Sequence, residues 1–243
     1  MTQSSATDLM SGLLRDLGGY LRYLQEEGVT ELAGIGAAGM PAETAGAGAP
    51  DAGAELARIA AAVKACRNCA LHESRTQAVP GQGCARPDLV FVGEAPGADE
   101  DRQGQAFVGA AGQLLTKMIG AMGFTREEVF IGNIVKCRPP GNRTPLPHEM
   151  ERCLPYLKAQ LAVLRPRVIV ALGATAVRGL LDVSTGITRL RGRWMLFEGI
   201  DVMPTYHPAY LLRNAAAKRE VWADLKAVLK RLGREPPKRE ARS

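Results

Sequence analysis

Leu89-Val90-Phe91-Val92-Gly93-Glu94-Ala95-Pro96-Gly97 is the stretch from which the fold of this chain can be read. Four successive apolar residues, Leu89 to Val92, have the length and composition of a strand buried on both faces, and they stop abruptly at residues that favour turns. Acids follow at Asp99, Glu100 and Asp101, then Gly104, Phe107, Val108 and Gly109, and an apolar-periodic helix begins near Ala110. A strand that empties through a Gly/Pro loop into a helix opens an α/β unit, and in an open α/β sheet ligands bind outside the carboxyl ends of the strands. A loop there that carries acids and an aromatic side chain is a candidate site. A tight connection without any ligand has the same Gly/Pro signature.

The pattern repeats downstream. Residues 129–135 read as a second strand that runs into a rigid basic loop, Lys136-Cys137-Arg138-Pro139-Pro140-Gly141-Asn142-Arg143. Pro147 suits the first position of a helix, whose apolar pattern continues to about Leu164 with a break expected at Pro155. Residues 168–172 form a continuous apolar run, followed by a short helix over 175–181. Arg189, Arg191 and Arg193 then alternate with Leu190, Gly192 and Trp194 on a loop or hairpin before a last core strand over 202–206. The segment from His207 leaves that strand, and a final helix carries Val221, Leu225, Val228, Leu229 and Leu232. Upstream, a helix over about 54–65 leads into Cys66-x-x-Cys69. Strands alternating with helices predict an α/β fold around a small, mainly parallel sheet of four strands, flanked on both faces. The loops after Gly93, after Val135 and at His207 then all leave carboxyl ends and converge.

The flanks differ in kind. Residues 8–26 place Leu9, Leu13, Leu17, Leu21 and Leu24 at helical spacing, an amphipathic helix within an N-terminal segment 1–32. Residues 33–53 are dominated by Ala, Gly and Pro and read as a flexible linker. The main domain spans 54–232, and the charged tail 233–243 is expected to be disordered. The N-terminal helix either docks on the main domain or binds a protein partner. With 243 residues, 46% of them hydrophobic, the chain buries a substantial core, and its net charge of +6 favours polyanionic partners such as nucleic acid. Its apolar runs fall short of membrane-spanning length, so a soluble, cytoplasmic protein without a membrane partner, acting as a monomer, is expected.

Cys66, Cys69, Cys137 and Cys153 form two spaced pairs in a chain too large to need disulfide staples, and point to metal or redox chemistry. Four thiolates suit a tetrahedral zinc ion or an iron-sulfur cluster, and spacing does not separate them. Cys84, in a Gly-Gln-Gly-Cys turn, has no partner of its own. Of three histidines, His72 and His148 lie near helix starts and read as surface residues, whereas His207 sits at a strand end between Tyr206 and Pro208. Asn133 lies within a strand, where asparagine is disfavoured. Once buried, its amide either pins neighbouring loops or meets a ligand with a carbonyl beside an N–H, as on the pairing edge of uracil. Phe107 is either core or a stacking platform for a planar base. Lys136, Arg138, Arg143, Arg189, Arg191, Arg193 and Arg213 flank the same rim and suit phosphate contacts.

Taken together, Gly93-Glu94-Ala95-Pro96-Gly97, Gln103-Gly104, Phe107-Val108-Gly109, Gly112-Gln113-Leu114-Leu115, Asn133 and His207-Pro208-Ala209-Tyr210-Leu211-Leu212 resemble the family 4 uracil-DNA glycosylases, the iron-sulfur members of their superfamily. The resemblance covers roughly residues 60–232. It implies a three-layer αβα sandwich and base-excision chemistry on uracil-containing DNA. By motif, Cys66, Cys69, Cys137 and Cys153 would ligate a 4Fe-4S cluster, and Gly93, Ala95, Phe107 and Asn133 would bind the base. Phe107 would stack on uracil and Asn133 would pair with its edge. His207 would face uracil O2, and Glu94 and Glu100 would fall at acidic catalytic positions. Family 1 enzymes carry a water-activating aspartate where this chain has Ala95, as family 4 does. A related branch that traps its product covalently uses a histidine near the arginine-rich loop, and 188–193 contains none, so turnover is expected. The contrasting expectation is a non-catalytic iron-sulfur nucleic-acid-binding module.

Overall fold

The computed structural model describes residues 51–237. The N-terminal helix, the linker up to residue 50 and the tail beyond residue 237 lie outside them. The first helix, α1 (Ala52–Ala65), starts where the Asp51 carboxylate accepts a bond from the Gly53 N–H at 3.0 Å. In order there follow α2 (Leu71–Ser74), β1 (Gln82–Gly83), β2 (Leu89–Gly93), α3 (Ala98–Gln103), α4 (Ala110–Ala121), β3 (Phe130–Asn133) and a 3-10 turn at Pro140–Asn142. The second half holds α5 (Pro147–Leu164), β4 (Val168–Leu172), α6 (Ala174–Leu181), α7 (Ile187–Leu190), β5 (Met195–Phe197), β6 (Ile200–Thr205), α8 (Pro208–Arg213), a 3-10 turn at Ala215–Ala217 and α9 (Lys218–Arg231).

The sheet has six strands in the order β1-β3-β2-β4-β6-β5. The four strands expected from sequence are its parallel centre, β3-β2-β4-β6. Two short strands, β1 and β5, extend it antiparallel at the edges. They are too short to announce themselves by apolar alternation: β1 has two residues and β5 three. Successive residues of the central strands point to opposite layers. Leu89, Phe91, Val168, Val170 and Met203 pack with Leu115 and Ile119 of α4 and with Leu225, Val228 and Leu229 of α9. Val90, Val92, Ile169, Ala171 and Val202 pack with Leu157, Leu161 and Leu164 of α5 and with Val177 and Leu180 of α6. Each fully buried aliphatic side chain contributes about 1.5–3 kcal/mol, so the two layers of helices are held by the strands' own apolar runs. The result is the expected three-layer sandwich.

Helix α5 continues through Pro155 without the expected break. Pro155 and Glu151, whose carbonyl loses its intrahelical donor to the proline ring, are both exposed residues, so the lost bond falls on the solvent side of the helix and not in its packed face. At the other end the tail stays attached at its start: the Arg234 guanidinium lies 4.0 Å from the Phe124 ring centroid, and the backbone N–H of Arg234 donates to the Leu229 carbonyl. The chain from β2 crosses to β3 on one side and that from β4 to β6 on the other, which opens a crevice beyond the carboxyl end of β2.

Candidate active site

The crevice is a cleft of about 420 Å³ lined by Glu94, Phe107, Asn133, Arg143, His207 and Arg213, among others. Parallel register sets Gly93 at the end of β2 beside Asn133 at the end of β3. The missing side chain at Gly93 makes room: a Cβ there would lie 2.5 Å from both Asn133 Oδ1 and the Phe107 ring. Asn133 is 1% exposed, and its Oδ1 has no hydrogen-bond partner among the described residues. Phe107, also buried, faces His207 with ring centroids 5.7 Å apart and holds a positive φ of 55°. Ala95 completes this side of the cleft.

His207 caps α8, its Nδ1 accepting the Ala209 N–H at 3.1 Å. An accepting Nδ1 carries no proton, so the neutral ring keeps its proton on Nε2. Burial pushes the pKa of His207 down to about 4, against the pull of Glu100, and Arg213 lowers it further. At neutral pH the ring is an uncharged donor. The two expected acids differ sharply. Glu94 lines the cleft and its carboxylate has no hydrogen-bond partner among the described residues. Glu100 accepts from Val108 N–H at 2.8 Å and Gly109 N–H at 2.9 Å with Oε1, and from Gly97 N–H at 3.1 Å with Oε2. Glu100, expected at a catalytic position, lines the cleft while its carboxylate clamps its own loop.

The basic rim is smaller than the sequence suggested. Lys136 is buried, its Nζ bonded to Gln160 Oε1 at 2.7 Å, and burial pushes its pKa down to about 8. It faces no solvent and offers nothing to a phosphate. Arg191 is drawn inward by Asp224, with Nε 3.1 Å from Oδ2, by the Glu220 carbonyl at 2.7 Å and by the Tyr206 ring. Its partner Asp224 is 3% exposed, so this arginine belongs to the core wall. Arg143 lines the cleft but grips Glu149 with both guanidinium nitrogens, at 2.8 and 2.7 Å, and that pair holds the Glu149 carboxyl below its usual range. Arg138 bonds Asn142 Oδ1 at 2.7 Å. Arg189 in α7, Arg193 and Arg213 are exposed, with no side-chain hydrogen bond among the described residues.

Cys66, Cys69, Cys137 and Cys153 line a second, small cavity. Asn68 N–H, Arg75 Nη1 and Lys136 N–H point at Cys66, Cys137 and Cys153 Sγ at 3.5, 3.0 and 3.2 Å. Burial pushes the Cys137 thiol up and Cys153 up to about 11. Among the described residues no three His, Cys, Asp or Glu close into a ligand set for a single metal ion. The donors nonetheless match what thiolate ligands require, namely N–H groups and cations that stabilise charge on sulfur. His72 is not a plain surface residue: it lines this cavity, and its Nδ1 lies 2.8 Å from the Cys69 carbonyl. Cys84 stands apart, its N–H bonded to the Val129 carbonyl.

Two contributors, Arg75 and Arg126, carry no signal in the sequence. Arg75 ties Cys137 Sγ to the carbonyls of Lys64 and Cys66, at 2.7 and 3.0 Å from Nη2. Arg126 bonds the carbonyls of Ala106 and Phe107. Tyr210 of α8, from the motif that begins at His207, lines the cleft and is exposed.

The family model for the uracil DNA glycosylase superfamily matches residues 80–226. The chain belongs to this superfamily. Its sequence is 44% identical over 183 residues to the type-4 uracil-DNA glycosylase of Archaeoglobus fulgidus, covering 72% of this chain and 92% of the relative. It is 50% identical over 156 residues to that of Thermotoga maritima (63% and 80%) and 43% identical over 179 residues to that of Pyrobaculum aerophilum (70% and 91%). A type-5 enzyme of the last organism is 33% identical over 153 residues, so the chain lies on the type-4 side of the superfamily. The uracil DNA glycosylase match contains every residue that lines the large cleft, but begins after Cys66, Cys69 and Arg75.

Proposed function

We propose that this protein is a uracil-DNA glycosylase that turns deoxyuridine out of DNA and hydrolyses its N-glycosidic bond, leaving an abasic site for base excision repair. Asn133 carries the reading: its side-chain oxygen is buried and unpartnered among the described residues, in the cleft wall beside the Phe107 ring. An orphaned buried acceptor costs about 1–3 kcal/mol, and a base that offers an N–H there recovers it. The pairing edge of uracil offers that N–H next to a carbonyl, the complement of an amide.

Extruding the nucleotide costs a few kcal/mol, offset by stacking on Phe107, by bonds to Asn133 and by packing against Gly93 and Ala95. As the glycosidic bond breaks, negative charge grows on the base and positive charge on the sugar. His207 donates Nε2–H to uracil O2 as the charge develops, remaining neutral and keeping its proton, and so stabilises the leaving group. Glu94, free of protein partners, faces the sugar cation, while Glu100 holds the loop. Arg138, Arg189, Arg193 and Arg213 meet DNA phosphates, with Arg143 contributing beside Glu149.

The four cysteines would hold a four-iron four-sulfur cluster, a reading supported by the donors aimed at three of the sulfurs. Hydrolysis needs no electron transfer, and the chemistry the cluster supplies when bound is thiolate ligation that fastens the basic loop after Cys137 to α1 and α5. The function is tested by incubating the protein with a single-uracil oligonucleotide and then with alkali. Strand scission at uracil, with none at thymine in the same position, is expected; an intact uracil strand refutes the reading.

A further inference from the structure

Phe107 has φ 55°, in the left-handed region that a bulky side chain adopts only under compulsion. Two opposite charges supply the compulsion. On one side Glu100 Oε1 accepts the N–H groups of Val108 and Gly109, at 2.8 and 2.9 Å. On the other, Arg126 donates from Nη2 to the Ala106 carbonyl at 2.7 Å and from Nη1 to the Phe107 carbonyl at 3.2 Å, with Thr116 Oγ1 fixing Nη1 at 3.1 Å. Two glycines leave the space: a Cβ on Gly112 would lie 2.0 Å from the Phe107 carbonyl, and one on Gly93 would lie 2.5 Å from its ring. Arg126 is half-buried and does not line the cleft, so it touches Phe107 without facing a ligand.

We infer that Arg126 is a positioning residue of the base pocket: with Glu100 it clamps residues 106–109 so that the Phe107 ring stands ready as a stacking platform before the base arrives. The inference rests on the glycosylase reading above, and it goes beyond it by assigning a part to a residue outside the cleft. A platform held in advance lowers the cost of binding, because the strained conformation is not imposed on the complex each time.

The test uses Arg126→Met, which keeps side-chain length and loses both bonds, and Arg126→Lys, which keeps a single cation and remains informative if the methionine variant fails to fold. Three quantities are read: the backbone chemical shifts of Phe107, inhibition by free uracil, and the single-turnover excision rate. Phe107 shifts should leave the left-handed range in Arg126→Met. Uracil inhibition and excision should each weaken by on the order of tenfold, the equivalent of about 1.4 kcal/mol, because the strained conformation must then be imposed at each binding event. Arg126→Lys should fall between. In a Phe107→Ala background, Arg126→Met should change neither uracil inhibition nor excision, although its effect on urea unfolding persists. Unchanged Phe107 shifts, or an equal loss in the Phe107→Ala background, would overturn the inference. A parent protein inert on uracil DNA refutes the function instead, and the shifts still decide whether Arg126 holds Phe107.

Discussion

Replacing Arg191 by alanine should unfold the protein more readily instead of loosening its hold on DNA. Its guanidinium is bonded to Asp224, whose carboxylate is 3% exposed and is shared with Thr205 Oγ1 at 2.6 Å. Removing one partner of a buried ion pair costs about 3–5 kcal/mol, because the other charge stays buried. The lower figure applies, since Asp224 keeps Thr205 and burial already pushes its pKa up, so the variant escapes by binding a proton. A loss of about 3 kcal/mol corresponds to a melting temperature lower by roughly 6–12 °C for a body of this size. The sign with pH follows from the carboxylate. With Arg191 gone its folded pKa rises further above the unfolded value, so the deficit is largest at alkaline pH and shrinks as the solution is acidified and Asp224 is neutralised. The exposed neighbour Arg193→Ala should leave melting unchanged and lower the salt dependence of DNA binding by about one counterion. Thermal melts at several pH values, paired with binding isotherms against salt, separate the two. An Arg191→Ala protein that melts with the parent and loses one counterion on binding would refute the assignment of Arg191 to the core wall.

His207, with its pKa near 4, should leave the single-turnover rate flat from about pH 8 to about pH 5 and depress it only near pH 4; an inflection near 6.5 would contradict the half-buried neutral ring. Because that folded pKa lies below the unfolded 6.5, the same group should remove up to about 3 kcal/mol of stability as pH falls from about 6.5 to 4, a slope that His207→Gln abolishes in urea titrations. Asn133→Asp should cut uracil excision by on the order of a hundredfold at saturating enzyme, since a buried carboxylate cannot donate to a uracil carbonyl; parent-like excision would sink the role of the amide. Protein prepared without oxygen should show broad visible absorbance and bound iron, lost in Cys137→Ser and kept in Cys84→Ser; stoichiometric zinc without iron would overturn the cluster.

The fold was legible where local pattern and tertiary role coincide. The uninterrupted apolar run from Leu89 to Val92 is buried on both faces, and such a run has few other uses. Phe107, Asn133 and His207 were legible as cleft candidates for the opposite reason: an aromatic after a Gly/Pro loop, an amide inside a strand and a histidine at a strand end are each out of keeping with their local setting. The basic rim was legible only in part, because a positive charge carries no mark of its partner. Arg191 meets an acid 33 residues away, and Lys136 an amide 24 residues away. Arg126 was invisible for a further reason: its partners are backbone carbonyls, which every residue possesses.

The acid-rich stretch after Gly97 shows how far composition alone misleads about chemistry. Glu100 and Asp101 are neighbours on the short helix α3, and they face opposite ways. Glu100 fastens the loop of Phe107 by three backbone N–H groups. Asp101, 3% exposed, accepts from the N–H groups of Thr76 at 2.9 Å and Gln77 at 3.4 Å, directly after the Arg75 that holds Cys137 Sγ and the carbonyls of Lys64 and Cys66. Six residues of helix therefore join the thiol cavity to the base cleft through two carboxylates with no free oxygen between them. Such an acid is a poor proton carrier, since each proton it took up would break the bonds it makes. Of the two acids that border the cleft, Glu94, just before this stretch, is the one left with its oxygens unclaimed among the described residues, and it is the acid to which the proposed mechanism gives the charge at the sugar.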